Sequence, residues 1–122
     1  MKTDPHYFKK RKAGFAYAFA GIARFMKQEP HAKLHAVATI LLLIVSLALK
    51  VSQMEAIALV GMVGLVWITE LLNTCVEKAM DFISTERDPK IMAIKDMAAG
   101  AVLIAAITAL ITALFIFIPK IL

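Results

Sequence analysis

The chain has 122 residues, 61% of them hydrophobic, with 14 Lys and Arg against 9 Asp and Glu and a mean hydropathy of +0.77. That apolar share lies far above the range of soluble domains and excludes a water-soluble globular enzyme. The net charge of +5 therefore reads as membrane topology, with no nucleic-acid partner expected, and the single cysteine, Cys75, excludes an intrachain disulfide.

In chain order, the first element is predicted over about residues 7–28. Phe8, Phe15, Phe19, Ile22 and Met26 recur at the spacing of an amphipathic helix, and that stripe is expected to lie on the bilayer surface. The other face carries Lys10, Gly14, Tyr17, Gly21, Arg24 and Gln28, a basic strip whose two glycines let something approach the backbone closely. Taken alone, this helix reads as a snorkelling membrane anchor. Pro30 suits the first turn of a new helix, which puts Glu29 at the junction. His31 and His35 stand four apart, but two imidazoles without a third ligand do not make a zinc site.

Three apolar spans follow, over about residues 31–50, 55–83 and 91–118. Residues 34–49 and 97–119 carry no Asp, Glu, Lys or Arg, and residues 56–76 carry only Glu70. Each run is close to the roughly 20 residues a spanning helix needs. No cleavable signal peptide is expected, because the first apolar run begins about thirty residues in without a small-residue cleavage site. Ala101, Ala105, Ala109 and Ala113 form a small-residue seam on the third span, and the second offers Gly61 and Gly64, so close helix packing is expected along both. The whole of residues 1–122 is expected to form a single membrane-embedded domain.

Basic residues set the orientation. Lys2, Lys9, Lys10, Arg11, Lys12, Arg24, Lys27 and Lys33 precede the first span, and Lys78, Arg87, Lys90 and Lys95 lie between the second and third. Only Lys50 and Lys120 remain for the opposite side. By the positive-inside rule the N-terminus and the loop of about residues 78–96 are cytoplasmic, and the turn near Lys50 is external.

The chemistry concentrates on the second span. Glu70, Asn73 and Glu77 fall on one helical face, with Asp81 four residues further on. A carboxylate in the hydrocarbon region costs about 3 kcal/mol, so Glu70 is a functional residue by default. Glu77, roughly 10 Å along the axis from Glu70, suits a hard cation at the membrane surface. Glu70 suits proton abstraction from a hydroxyl presented there. Asn73 also fits an ordinary polar contact between helices. In the loop, Glu86, Arg87 and Asp88 precede Lys95 and Asp96; Lys95 stands out as an ammonium able to hold polyphosphate. No P-loop or protein-kinase signature occurs, so a nucleotide site must be built otherwise. Three helices enclose little interior, which leads us to expect a homo-oligomer.

The pattern E-x-x-N-T-x-x-E (Glu70, Asn73, Thr74, Glu77), then Asp81, then K-D-x-x-A-x-A-V from Lys95 to Val102, resembles the prokaryotic diacylglycerol kinase family, which includes undecaprenol kinases. The resemblance covers the chain from about Lys10. It implies an all-α integral membrane protein with an N-terminal amphipathic surface helix and three transmembrane helices, assembled as a homotrimer in the bacterial inner membrane. It also implies a kinase that moves the γ-phosphoryl of ATP to a lipid hydroxyl with the help of Mg, its site on the cytoplasmic side. By matching positions, Glu70 is the base, and Glu29 and Glu77 hold the metal and its nucleotide. Lys10, Tyr17, Glu86, Arg87, Asp88, Lys95 and Asp96 line the nucleotide site, Asn73 supports it, and Ala98 and Ala99 leave room for the lipid. Two departures stand out: Lys10 replaces an arginine found in some members, and His35 stands where enterobacterial diacylglycerol kinases are acidic, as it does in members resembling undecaprenol kinases. His35 is accordingly a candidate lipid contact.

The resemblance ranks diacylglycerol first as substrate, giving phosphatidic acid, with undecaprenol as the alternative. Two other classes compete: a small proton-coupled transporter using Glu70, and a non-catalytic assembly subunit. The first lacks a polar trail from Glu70 to the external turn, and the second leaves Glu70, Glu77 and Lys95 without a purpose.

Overall fold

The computed structural model describes residues 5–122; Lys2, counted above among the basic residues, lies outside them. The described residues form four helices: α1 (Pro5–Gln28), α2 (Pro30–Ala48), α3 (Gln53–Ile83) and α4 (Pro89–Ile121). The last three are long and apolar enough to cross a membrane. The chain divides into two compact units, the first ending at Ala38 and the second running from Thr39 to Leu122.

In the first unit, α1 stops where Pro30 restricts the backbone of the residue before it. Glu29 N–H still donates to the Phe25 carbonyl at 3.0 Å, and the Glu29 carbonyl accepts from Ala32 N–H at 3.1 Å as α2 begins. Phe8, Phe15, Phe19 and Ile22 stay exposed, whereas Phe25, outside the predicted stripe, is buried. Near the start of α1 the Arg11 guanidinium sits 5.0 Å from the Tyr7 ring centroid, a cation–π contact at helical i, i+4 spacing.

The second unit is built around an antiparallel pair. α3 packs along α4, and each end is tied by an ion pair: Lys120 Nζ to Glu55 Oε1 at 3.0 Å, and Lys95 Nζ to Asp81 Oδ1 at 2.5 Å. Leu59, Ala105 and Ile116 are its buried apolar residues. Of the alanine seam, Ala105 is buried, Ala109 and Ala113 are half-buried and Ala101 is exposed. The glycines behave differently. A Cβ built at Gly61 or Gly64 would meet nothing within 4 Å, so neither seats a helix of this chain. Gly64 instead lines an apolar groove of 380 Å³ with Leu42, Leu43, Ser46, Val51, Leu59 and Val63.

The turn between α2 and α3 is a Schellman motif. Val51 N–H donates to the Ser46 carbonyl (3.2 Å) and Lys50 N–H to that of Leu47 (3.4 Å), the reciprocal pair that closes such a helix end. Lys50 takes the left-handed position (φ 52°) that glycine usually fills. Ser52 then caps α3: its hydroxyl accepts from Glu55 N–H at 3.1 Å, and Ser52 N–H donates to Glu55 Oε1 at 2.9 Å. This is a capping box that satisfies two otherwise orphaned donors.

Hydroxyls inside the spans need partners, because hydrocarbon offers none. Ser46 Oγ donates to the Leu42 carbonyl (2.7 Å), Thr69 to that of Leu65 (2.9 Å), Thr108 to that of Ile104 (2.8 Å) and Thr112 to that of Thr108 (2.9 Å). Across helices, Trp67 Nε1 donates to Thr39 Oγ1 at 2.9 Å. Large apolar side chains such as Leu41, Ile44, Leu103 and Phe115 face outward, as a bilayer exterior requires.

Candidate active site

α3 has 31 residues and is therefore about 46 Å long, against a hydrocarbon thickness of about 30 Å. About 16 Å of it exceeds that thickness, and the polar face lies on its C-terminal half. Glu70 and Asn73 are half-buried, while Glu77 and Asp81 are exposed. Asn73 Nδ2 donates to Glu77 Oε1 at 3.3 Å, and Asn73 Oδ1 is buried with no hydrogen-bond partner. A buried amide oxygen left without a donor costs about 1–3 kcal/mol, so this position is suited to a molecule that brings one.

The loop after α3 is shaped by its own short hydrogen bonds. Ser84 is extended and its N–H donates to the Met80 carbonyl, and Glu86 N–H donates to Ser84 Oγ at 3.1 Å. Asp88 is the N-cap of α4, accepting from Lys90 N–H at 2.8 Å, with Pro89 in the first helical turn. One Asp88 oxygen is thus committed to the fold, a role the sequence reading did not give it. Glu86, Arg87 and Asp88 are all exposed. Two turns into α4, Lys95 points to Asp81; Asp96 is exposed, Ala98 half-buried and Ala99 exposed. The structure therefore brings Lys95 onto the Glu70–Asn73–Glu77 side of α3 through Asp81, the residue that reasoning from sequence placed on the face without a task.

In the first unit, Lys10, Gly14 and Tyr17 share one face of α1. Lys10 and Gly14 line a shallow depression with Tyr7, Arg11, Phe15 and Ala18, and Tyr17 is exposed. Glu29 stands between α1 and α2, and His35 lies in the first half of α2; both are half-buried.

Among the described residues no group of three or more His, Cys, Asp or Glu side chains is placed to hold a metal. Magnesium does not need one: it retains water and typically binds one or two carboxylates together with substrate phosphates. Exposed Glu77, oriented by the Asn73 amide, fits that donor chemistry.

Comparison with known proteins places the chain in a family. Residues 16–117 match the family model for prokaryotic diacylglycerol kinase, a stretch that contains every assigned site residue except Lys10. The chain is 35% identical over 106 residues to an undecaprenol kinase of Bacillus subtilis, covering 87% of this chain and 86% of the relative. It is 33% identical over 96 residues to a diacylglycerol kinase of Escherichia coli K12, covering 79% of each. To a diacylglycerol kinase of Synechocystis it is 31% identical over 109 residues, covering 88% of this chain and 62% of the relative. The chain belongs to the prokaryotic diacylglycerol kinase family. It is accordingly a membrane-spanning lipid kinase, a transferase that draws its phosphoryl group from a nucleotide.

Proposed function

We propose that the protein transfers the γ-phosphoryl group of ATP to the terminal hydroxyl of a membrane lipid, with Mg, at the cytoplasmic face of a bacterial inner membrane. The observation that carries this is the α3 face: a half-buried carboxylate, an amide with an unpartnered buried oxygen and an exposed carboxylate in succession, with a lysine brought to the same end. Glu70 takes the proton as the lipid oxygen bonds to the γ-phosphorus; the bond from that phosphorus to the bridging oxygen breaks, and ADP leaves. Asn73 orients Glu77 through the hydrogen bond that its Nδ2 donates. Lys95 neutralises polyphosphate charge, and Glu77 and Glu29 hold the magnesium, which when bound supplies charge neutralisation at the phosphates. Such a reaction demands mainly positioning and electrostatics.

Lys10, Tyr17, Glu86, Arg87, Asp88 and Asp96 serve the nucleotide, His35 and Ala99 the lipid. The exposed aromatic stripe of α1 rests on the bilayer, and residues 1–122 act as one domain within a homotrimer.

Of the two acceptors, undecaprenol is favoured. The chain is 35% identical to an undecaprenol kinase against 33% and 31% to two diacylglycerol kinases, and His35 is a neutral group that tolerates a prenol bearing no further donors. This reverses the order that the motif resemblance alone gives; diacylglycerol is the second reading, supported by similarity to diacylglycerol kinases. Purified protein given labelled ATP and, separately, undecaprenol or diacylglycerol should label the prenol faster. Faster labelling of diacylglycerol would exchange the two readings, and labelling of neither would sink both.

A further inference from the structure

We infer that Asp81 is a positioning residue for phosphoryl transfer, holding the Lys95 ammonium where it meets the polyphosphate of the nucleotide. This rests on the lipid-kinase reading of the same face. Asp81 lies one helical turn beyond Glu77 on the polar face of α3, and Lys95 arrives from α4 with Nζ 2.5 Å from Asp81 Oδ1. An ammonium donating to a carboxylate oxygen forms a charge-assisted hydrogen bond. A lysine ammonium is a point charge on a flexible four-carbon stem, and without an anchor it spreads over many rotamers. Anchored through one of its three N–H donors, Lys95 keeps two for phosphate oxygens. The side chains are 34% and 59% exposed for Lys95 and Asp81, so a polyphosphate can reach the ammonium without breaking the pair.

Stability alone is a weak reason for this pair, because ion pairs so open to water contribute little. Charge alone argues against it. Asp81 adds a negative group to a face that already carries Glu70 and Glu77 and must receive a polyanion. If Asp81 acted only through its charge, removing it would improve nucleotide binding; if it positions Lys95, removing it weakens binding. The two accounts predict opposite signs.

The test uses the full chain in lipid vesicles, with lipid phosphorylation read from labelled ATP alongside the thermal midpoint. Asp81→Asn should raise KM for ATP about fivefold, the upper range for such a pair, with a smaller fall in kcat and an unchanged midpoint. An unchanged or lower KM overturns the inference. In a Lys95→Met background the same substitution should leave KM where Lys95→Met put it; a further rise of similar size would show that Asp81 acts independently of Lys95 and would also overturn it. Exchanging the two residues, Asp81→Lys with Lys95→Asp, should keep the midpoint without restoring KM, and recovery of KM would mean that only the tie between helices matters. Should Asp81→Asn fail to fold, Asp81→Glu carries the test: a raised KM at an unchanged midpoint supports positioning, and an unchanged KM overturns it. Absence of lipid phosphorylation by the unsubstituted chain would overturn the kinase reading itself, whereas normal KM in Asp81→Asn beside an active parent overturns only the role of Asp81.

Discussion

The two ends of the α3–α4 pair use the same device for different ends. At one, Glu55 is shared between Lys120 and the capping box with Ser52, and the ion-paired side chains are 25% and 27% exposed. At the other, Lys95 and Asp81 are more open to water and stand beside a face on which Asn73 Oδ1 has no partner. The first end is closed upon itself. The second keeps bonding capacity in reserve, which is what separates a clasp from a site: polar groups that complete one another stabilise a fold, and polar groups left incomplete await a substrate.

The sharpest way to break this contrast is at Glu70. Glu70→Gln preserves size and hydrogen bonding but removes the base, and lipid phosphorylation should fall by about 10² to 10⁴-fold with the thermal midpoint unchanged; near-normal turnover would remove Glu70 from the chemistry. Next comes Lys95→Met, expected to cost about tenfold or more in kcat/KM for ATP. Lys90→Met, in the same first turns of α4 but with its side chain unassigned to the site, should be nearly silent. Equal losses at both positions would point to general loop charge.

At the clasp the effect should change in kind. Glu55→Gln is expected to leave lipid phosphorylation within about twofold of the parent while lowering the thermal midpoint, because it weakens the capping box and the Lys120 pair together. A selective loss of activity at an unchanged midpoint would erase the distinction between the ends. The smallest effect belongs to Lys50→Gly, which relieves a left-handed backbone at the helix end and should stabilise by about 1 kcal/mol or less. A destabilised protein would show that the Lys50 side chain, and not its backbone, matters at this turn.

Much of this was legible in the sequence because the bilayer simplifies the code. Apolar runs near spanning length, with at most one charge, leave little choice but helices, so four helices with three of spanning length follow from composition and period. The candidate face was legible for the same reason, since a carboxylate at Glu70 is conspicuous among apolar residues. What escaped were contacts that depend on how two helices align. Asp81 and Lys95 each lie seven residues from Asp88, and Glu55 and Lys120 are almost as evenly placed about the same loop. An antiparallel pair turning near residue 88 would bring both sets together, but nothing local to any of the four residues states that register. The glycines illustrate a related point: a Cβ at Gly61 or Gly64 would meet no other helix of this chain within 4 Å, and small size on a helix does not say which side its neighbour takes. Phe25 was overlooked because its position falls outside the period of the exposed aromatic stripe.

The spans' hydroxyls carry one more consequence. Ser46, Thr69, Thr108 and Thr112 each turn inward on a carbonyl of their own helix, so their donors have nothing to say to a neighbour. In hydrocarbon, helices gain no hydrophobic reward for meeting, and association rests on close fit and on interhelical hydrogen bonds. With these four donors already spent at home, any helix that packs along those surfaces is met by contour, and a single added methyl group there would speak louder than a lost hydroxyl.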